Sequence, residues 1–293
     1  MNENPFCQLA EDGTPLIELK QGLVLYVEDP PSPTKARLVY EHYLRHCGDR
    51  IQVYRSTATG SVLKDWNANT KKIFENQELP ELRKKSDWGY VFADNKEIDS
   101  WLFMFHGYRP RTEAGKASFY RFDFDWQVDP HFLYTFASEL ISLVPCLSGF
   151  AGYYLQGRVA YSMESYDTMF AISHRYWGLE AHNLDVTVNQ MLSGYKCVNW
   201  LTIIGDKFRQ ANPEAIEQAK QVAMKYHETE YAILFQADEV PRFGDQNRRE
   251  VLSGYVAIAK ALLPLQIREH EALGGTRWTD DNTIEWIQRF APP

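Results

Sequence analysis

The chain has 293 residues, 44% of them hydrophobic and 24% charged, and its 31 Lys+Arg against 39 Asp+Glu leave a net charge of −8. That length and apolar share support a large core and exclude wholesale disorder. The acidic balance argues against a nucleic-acid binder of the electrostatic kind, because phosphate repels such a surface.

In chain order, the Leu, Ile, Val and Tyr of residues 16–27 predict a mostly buried strand. Ser32 with Pro33 predicts a capped helix running to Cys47, and residues 51–56 a second strand, so the chain opens as strand–helix–strand. Residues 59–88 are polar and Lys-rich and read as a surface excursion. Strands return at 89–93 and 99–108. In the next one Tyr120, Phe122, Phe124 and Trp126 alternate with Arg121, Asp123 and Asp125, predicting an aromatic face and a solvated charged face.

Asp129 and Pro130 open another helix, followed by a strand at 149–155. The second half predicts helices at 163–177, 213–224, 246–263 and 283–290, with buried strands at 198–204 and 231–235. The apolar stretch 132–155 is broken by Glu139, Pro145, Gly149 and Gly152, so it is not a membrane span. Without a Gly/Ser or Pro-rich linker, the expectation is α+β: a single compact body over 1–293, its mixed or antiparallel sheet flanked by helices. Any halves, 1–155 and 156–293, would join without a flexible linker.

Candidate chemistry is thin. Cys7, Cys47, Cys146 and Cys197 form no Cys-x-x-Cys pair and read as small buried hydrophobes of a reducing compartment. Asp123 and Asp125, two apart on one strand, lie roughly 7 Å apart on one face, the geometry of a metal or acid–base pair. A wet strand face with Arg121 as neutralising neighbour is the stronger reading. His42 and His46, spaced i, i+4, have the metal-sharing spacing, but Tyr43 stands where a metalloprotease has Glu, and Lys35 and Arg45 mark a solvated helix face. No Gly-x-Ser-x-Gly elbow, complete phosphate loop or Gly-x-Gly-x-x-Gly is present. The expectation is no catalytic residue, no bound metal and no cofactor. The competing reading is a metal-dependent hydrolase on Asp123 and Asp125.

Several blocks carry a resemblance. They are Gly22 to Val27, Phe170-Ala171-Ile172 with Arg175-Tyr176-Trp177-Gly178-Leu179-Glu180, Val198 to Asp206, Ala237 to Pro241 leading into Gly244-Asp245-x-Asn247-Arg248, and Tyr255 to Leu265. Together they resemble the type VI immunity family of bacteria, across about residues 20–290. The resemblance implies a protein that protects its producer from a toxic effector of the type VI secretion system. The implied partner is the cognate effector, a nuclease, with no nucleic acid and no membrane. The segment Met1–Gly13 has no apolar signal core, which agrees with a cytoplasmic place of action. The matched blocks read as fold determinants, with Asp206 and Asp245 as caps. Contacts with a basic nuclease groove are expected instead from acidic turns: Asp94, Glu97 and Asp99 between two strands, and Asp238 and Glu239 after another. An adaptor that loads the effector is a further alternative.

Overall fold

The computed structural model describes residues 4–57, 62–84, 88–96, 100–108, 115–158 and 161–291. A short β1 (Gln8–Leu9) leads into β2 (Pro15–Val27), whose aliphatic run has no polar period because both its faces are covered. Ser32 caps α1 (Pro33–Cys47), accepting from the Lys35 N–H with Pro33 in the first turn, as the sequence predicts. Next come β3 (Val53–Ser56), β4 (Lys64–Asp65), α2 (Ala68–Ile73), a π turn at Phe74–Glu78 and a 3-10 turn at Leu79–Lys84. The strands β5 (Trp88–Ala93), β6 (Leu102–Gly107) and β7 (Ser118–Phe124) precede α3 (Pro130–Leu140), which Asp129 caps, and β8 (Ser148–Gly157).

The second half adds α4 (Ser162–Arg175), β9 (Glu180–Ala181), α5 (Leu184–Thr187), β10 (Leu201–Gly205), α6 (Asp206–Ala211) and α7 (Pro213–Val222). It ends with β11 (Lys225–Glu228), β12 (Ala232–Gln236), α8 (Ser253–Leu262) and α9 (Asp280–Ile287). The fold is α+β. Its strands form one sheet in the order β11, β12, β10, β8, β2, β7, β6, β5, β3, β4, with β1 beside β2 and β9 beside β8. Pairing is antiparallel except for β8 with β9. The sheet runs unbroken through residue 155, where a division into halves would fall.

The aromatic face of β7 forms the centre of the first core. Tyr120, Phe122 and Phe124 are fully buried. Phe122 stacks on Phe103 at 4.7 Å and meets Phe136 of α3 and Tyr43 of α1. The opposite face departs from the expectation of a solvated one: Asp123 is only 1% exposed. Tyr154 on β8, fully buried beside Arg121, closes that side.

Three more expectations are corrected. The 59–88 stretch is no mere excursion: Phe74 and Leu79 are fully buried, and Phe74 packs on Tyr40 and Phe92. The helix expected at 246–263 is split. A 3-10 turn covers Gln246–Arg248, Arg249 turns left-handed at φ 55°, and α8 starts at Ser253. Val251, placed on that helix's apolar stripe, is 70% exposed. Cys47, Cys146 and Cys197 are buried, whereas Cys7 is exposed.

Candidate functional site

Asp94 directly follows β5. Its Oδ1 accepts the N–H groups of Ser100 (2.9 Å) and Trp101 (3.1 Å), which holds the turn to β6. Glu97 and Asp99 lie outside the described residues. Asp238 and the exposed Glu239 follow β12, and Asp238 Oδ1 accepts the Glu239 N–H at 2.8 Å. The Asp238 carbonyl accepts the Trp200 indole N–H (2.7 Å) and the Gln236 amide (2.9 Å), so this turn is braced from below. Arg242 lies 3.5 Å from the Asp238 carboxylate. β5 and β12 sit six strands apart in the sheet. The two acidic turns are therefore separated along it by roughly 29 Å.

The carboxylate pair does not assemble. Arg121 grips Asp123 with two hydrogen bonds, Nε to Oδ1 at 2.8 Å and Nη2 to Oδ2 at 2.6 Å. Asp125 lies past the end of β7 and accepts the Gln127 N–H at 2.8 Å, an Asx turn.

The histidine pair also departs from its expected setting. His42 is 1% exposed under α3, and Glu139 of that helix reaches both rings. His46 Nε2 lies 3.0 Å from Glu139 Oε2, and Arg45 Nη1 3.9 Å from the same oxygen. Burial, with the neighbouring His46 adding to it, pushes His42 down to about 4. The His46 hydrogen bond holds Glu139 below the ordinary carboxylate range.

A buried polar cluster went unmarked in the sequence, although Glu180, Lys196, Cys197 and Asn199 lie in or beside the quoted blocks. Glu180 on β9 has no exposed surface. Its Oε1 accepts Lys196 Nζ at 2.7 Å, and its Oε2 accepts Asn199 Nδ2 at 3.0 Å and the Cys197 thiol at 3.1 Å. Arg289 Nη2 stands 3.9 Å away and donates through Nε to the Trp177 carbonyl at 2.8 Å. Burial alone would raise the Glu180 carboxyl, but the Lys196 and Arg289 charges outweigh it and hold it below its ordinary range. Burial and the Glu180 charge push the Cys197 thiol up to about 12, so it is no thiolate nucleophile.

A second pair fixes the other blocks. Arg175 grips Asp245 through Nε (3.0 Å) and Nη2 (2.8 Å), and Asp245 caps the 3-10 turn through the Asn247 N–H. The Asp245 cap is as expected. Asp206 instead occupies the first position of α6, with Gly205 as cap, and binds Arg209. A side chain at Gly178 would strike the Arg242 carbonyl, so the Arg175–Glu180 block needs its glycine for that close approach.

Among the described residues, then, the charged clusters join elements of the fold, and the carboxylates weighed for chemistry are held in pairs and turns. The family described as type VI immunity for VRR-NUC (TsiV) matches residues 40–290, and the chain belongs to it. A solved structure, "Pseudomonas aeruginosa T6SS protein PA0821", shares the fold: TM-score 0.77, 15% identity, 97% of this chain and 85% of that one covered. No curated protein sequence matches. The narrower likeness expected from the sequence, to TsiT, the immunity protein of the nuclease effector TseT, is named by neither match. No described helix is long and apolar enough to cross a membrane.

Proposed function

We propose that this chain binds its cognate type VI effector, a nuclease of the VRR-NUC kind, in a stoichiometric complex that holds the toxin inactive in the cytoplasm of the producing cell. The observation that carries this reading is the family match over residues 40–290. Charge supports it: a −8 surface is attracted to the basic groove with which a nuclease grips phosphate. The acidic turns at Asp94 and at Asp238–Glu239 are the contacts we assign to that attraction. The hydrolase reading finds little support in Asp123, bound to Arg121, or in Asp125, bound in a turn.

The test is a titration of effector nuclease activity with the purified chain. Binding protection ends at a fixed molar ratio, whatever the incubation time. Inhibition that deepens with time at substoichiometric doses would indicate an enzyme. An effector that fails to be secreted without this chain, and does not kill its producer, would indicate an adaptor.

A further inference from the structure

The triad of His42, His46 and Glu139 has no part in the proposed function. The ligand atoms of the three all lie within 4.8 Å of one another. His42 carries the argument. Its Nε2 lies 3.1 Å from the Phe136 carbonyl oxygen. A carbonyl only accepts, so Nε2 holds the proton and the neutral ring's lone pair falls on Nδ1. That atom is buried without a hydrogen-bond partner, 3.6 Å from Glu139 Oε2. A carboxylate oxygen also only accepts, so two lone pairs face each other. Something positive between them resolves the conflict. An imidazole that donates its far N–H to a backbone carbonyl and offers its near nitrogen is oriented as metal-binding histidines are.

We propose that His42 Nδ1, His46 Nε2 and the Glu139 carboxylate form a three-ligand site for a divalent first-row transition ion of the zinc type, which staples α1 to α3. Two imidazoles and one carboxylate suit such ions, whereas calcium and magnesium demand oxygen shells. Bonds of about 2.0–2.1 Å to a tetrahedral ion place ligand atoms roughly 3.3 Å apart. The separations of 3.0 and 3.6 Å to Glu139 Oε2 bracket that value. The Phe132 and Phe136 rings wall the site, and the Glu139 side chain, 44% exposed, leaves a fourth position open to water. Arg45 is the opposing charge, and its side chain, 70% exposed, has solvent to swing into.

The experiment uses the full chain, free of any affinity tag and stripped with chelator. Titration with cobalt should give the visible bands of a four-coordinate ion, abolished by one equivalent of zinc, and calorimetry should count one zinc per chain. Glu139→Gln and His46→Gln, both at partly exposed positions, should each weaken zinc binding more than about 10-fold while the metal-free chain still folds. Arg45→Ala should tighten it. No cobalt spectrum and no zinc heat at 1:1 addition would overturn the site and leave a plain His46–Glu139 ion pair. Binding that survives intact in the double variant would overturn it too, by placing the ion elsewhere.

Discussion

Glu180 shows how a buried charge is held. Replacing it with Gln would leave Lys196 and Arg289, each nearly without solvent, facing a neutral amide. Removing one partner of a buried ion pair costs about 3–5 kcal/mol. Glu180→Gln should therefore lower the urea midpoint by that free energy with the slope unchanged. Two of the buried histidines, His270 and His182, illustrate the pH response. Burial and the Lys196 charge hold His270 down at about 4, and burial with Arg121 and Lys196 holds His182 well below its ordinary range. In the unfolded chain both titrate near about 6.5. Below that pH the unfolded state binds protons that the folded state refuses, so stability falls as pH drops from about 6.5 toward 4. His270 should cost about 2 kcal/mol at pH 5 relative to pH 7, and His182 acts in the same direction. Denaturant titrations at the two pH values check this, and His270→Gln should remove its share of the loss. An unchanged midpoint would contradict it.

At the scale of elements, β7 is the sharpest case. Phe122 is enclosed by Phe103, Phe136 and Tyr43, so Phe122→Ala should cost about 3–5 kcal/mol. Val251→Ala, at a site 70% exposed, should stay within about 0.5 kcal/mol. Calorimetric melting of both variants tests the pair together. The aromatic register of β7 and the starts of α1 and α3 were legible in the sequence because local signals set them: a period of two, and Ser32-Pro33 or Asp129-Pro130. What was not legible depends on distant chain. His42 is buried because α3 lies over α1, and Asp123 is buried because Arg121 pairs with it beside Tyr154 of β8. The split before α8 follows from one left-handed residue, Arg249, which no residue type announces. Phe74 and Leu79 reach the core through π and 3-10 turns, whose spacing a search at 3.6 residues passes over. At the site, the Asp245 cap was legible from Gly244-Asp245, whereas the Glu180 cluster joins residues up to 109 positions apart in the chain.

At the scale of the molecule, the proposed electrostatic steering is constrained by the placement of the acidic turns. Charges at Asp94 and at Asp238–Glu239 sit roughly 29 Å apart along the sheet, several screening lengths at physiological salt. They should act on association independently. Asp94→Asn, which keeps the turn's acceptor oxygen, and Glu239→Lys should each slow association with the cognate effector and flatten its salt dependence. Their effects on the logarithm of the rate should add, with dissociation changed less. Stopped-flow mixing at about 50 and 300 mM salt measures this. A wild-type rate indifferent to salt would show that the complex rests on apolar anchoring.

The spine of the sheet also governs when protection begins. Gly22 of β2 stands opposite Asp123 of β7 and Gly152 of β8, both more than a hundred residues downstream. During synthesis, β2 leaves the ribosome as an apolar strand with only the two-residue β1 already made, and its long neighbours β7 and β8 come only when the middle of the chain emerges. Such long-range pairing slows folding relative to helical proteins of similar size and exposes sticky intermediates. An immunity protein built this way should respond poorly to a toxin that has already arrived. Its usefulness would depend on a folded reserve, made in advance and lost only as slowly as the paired sheet unfolds.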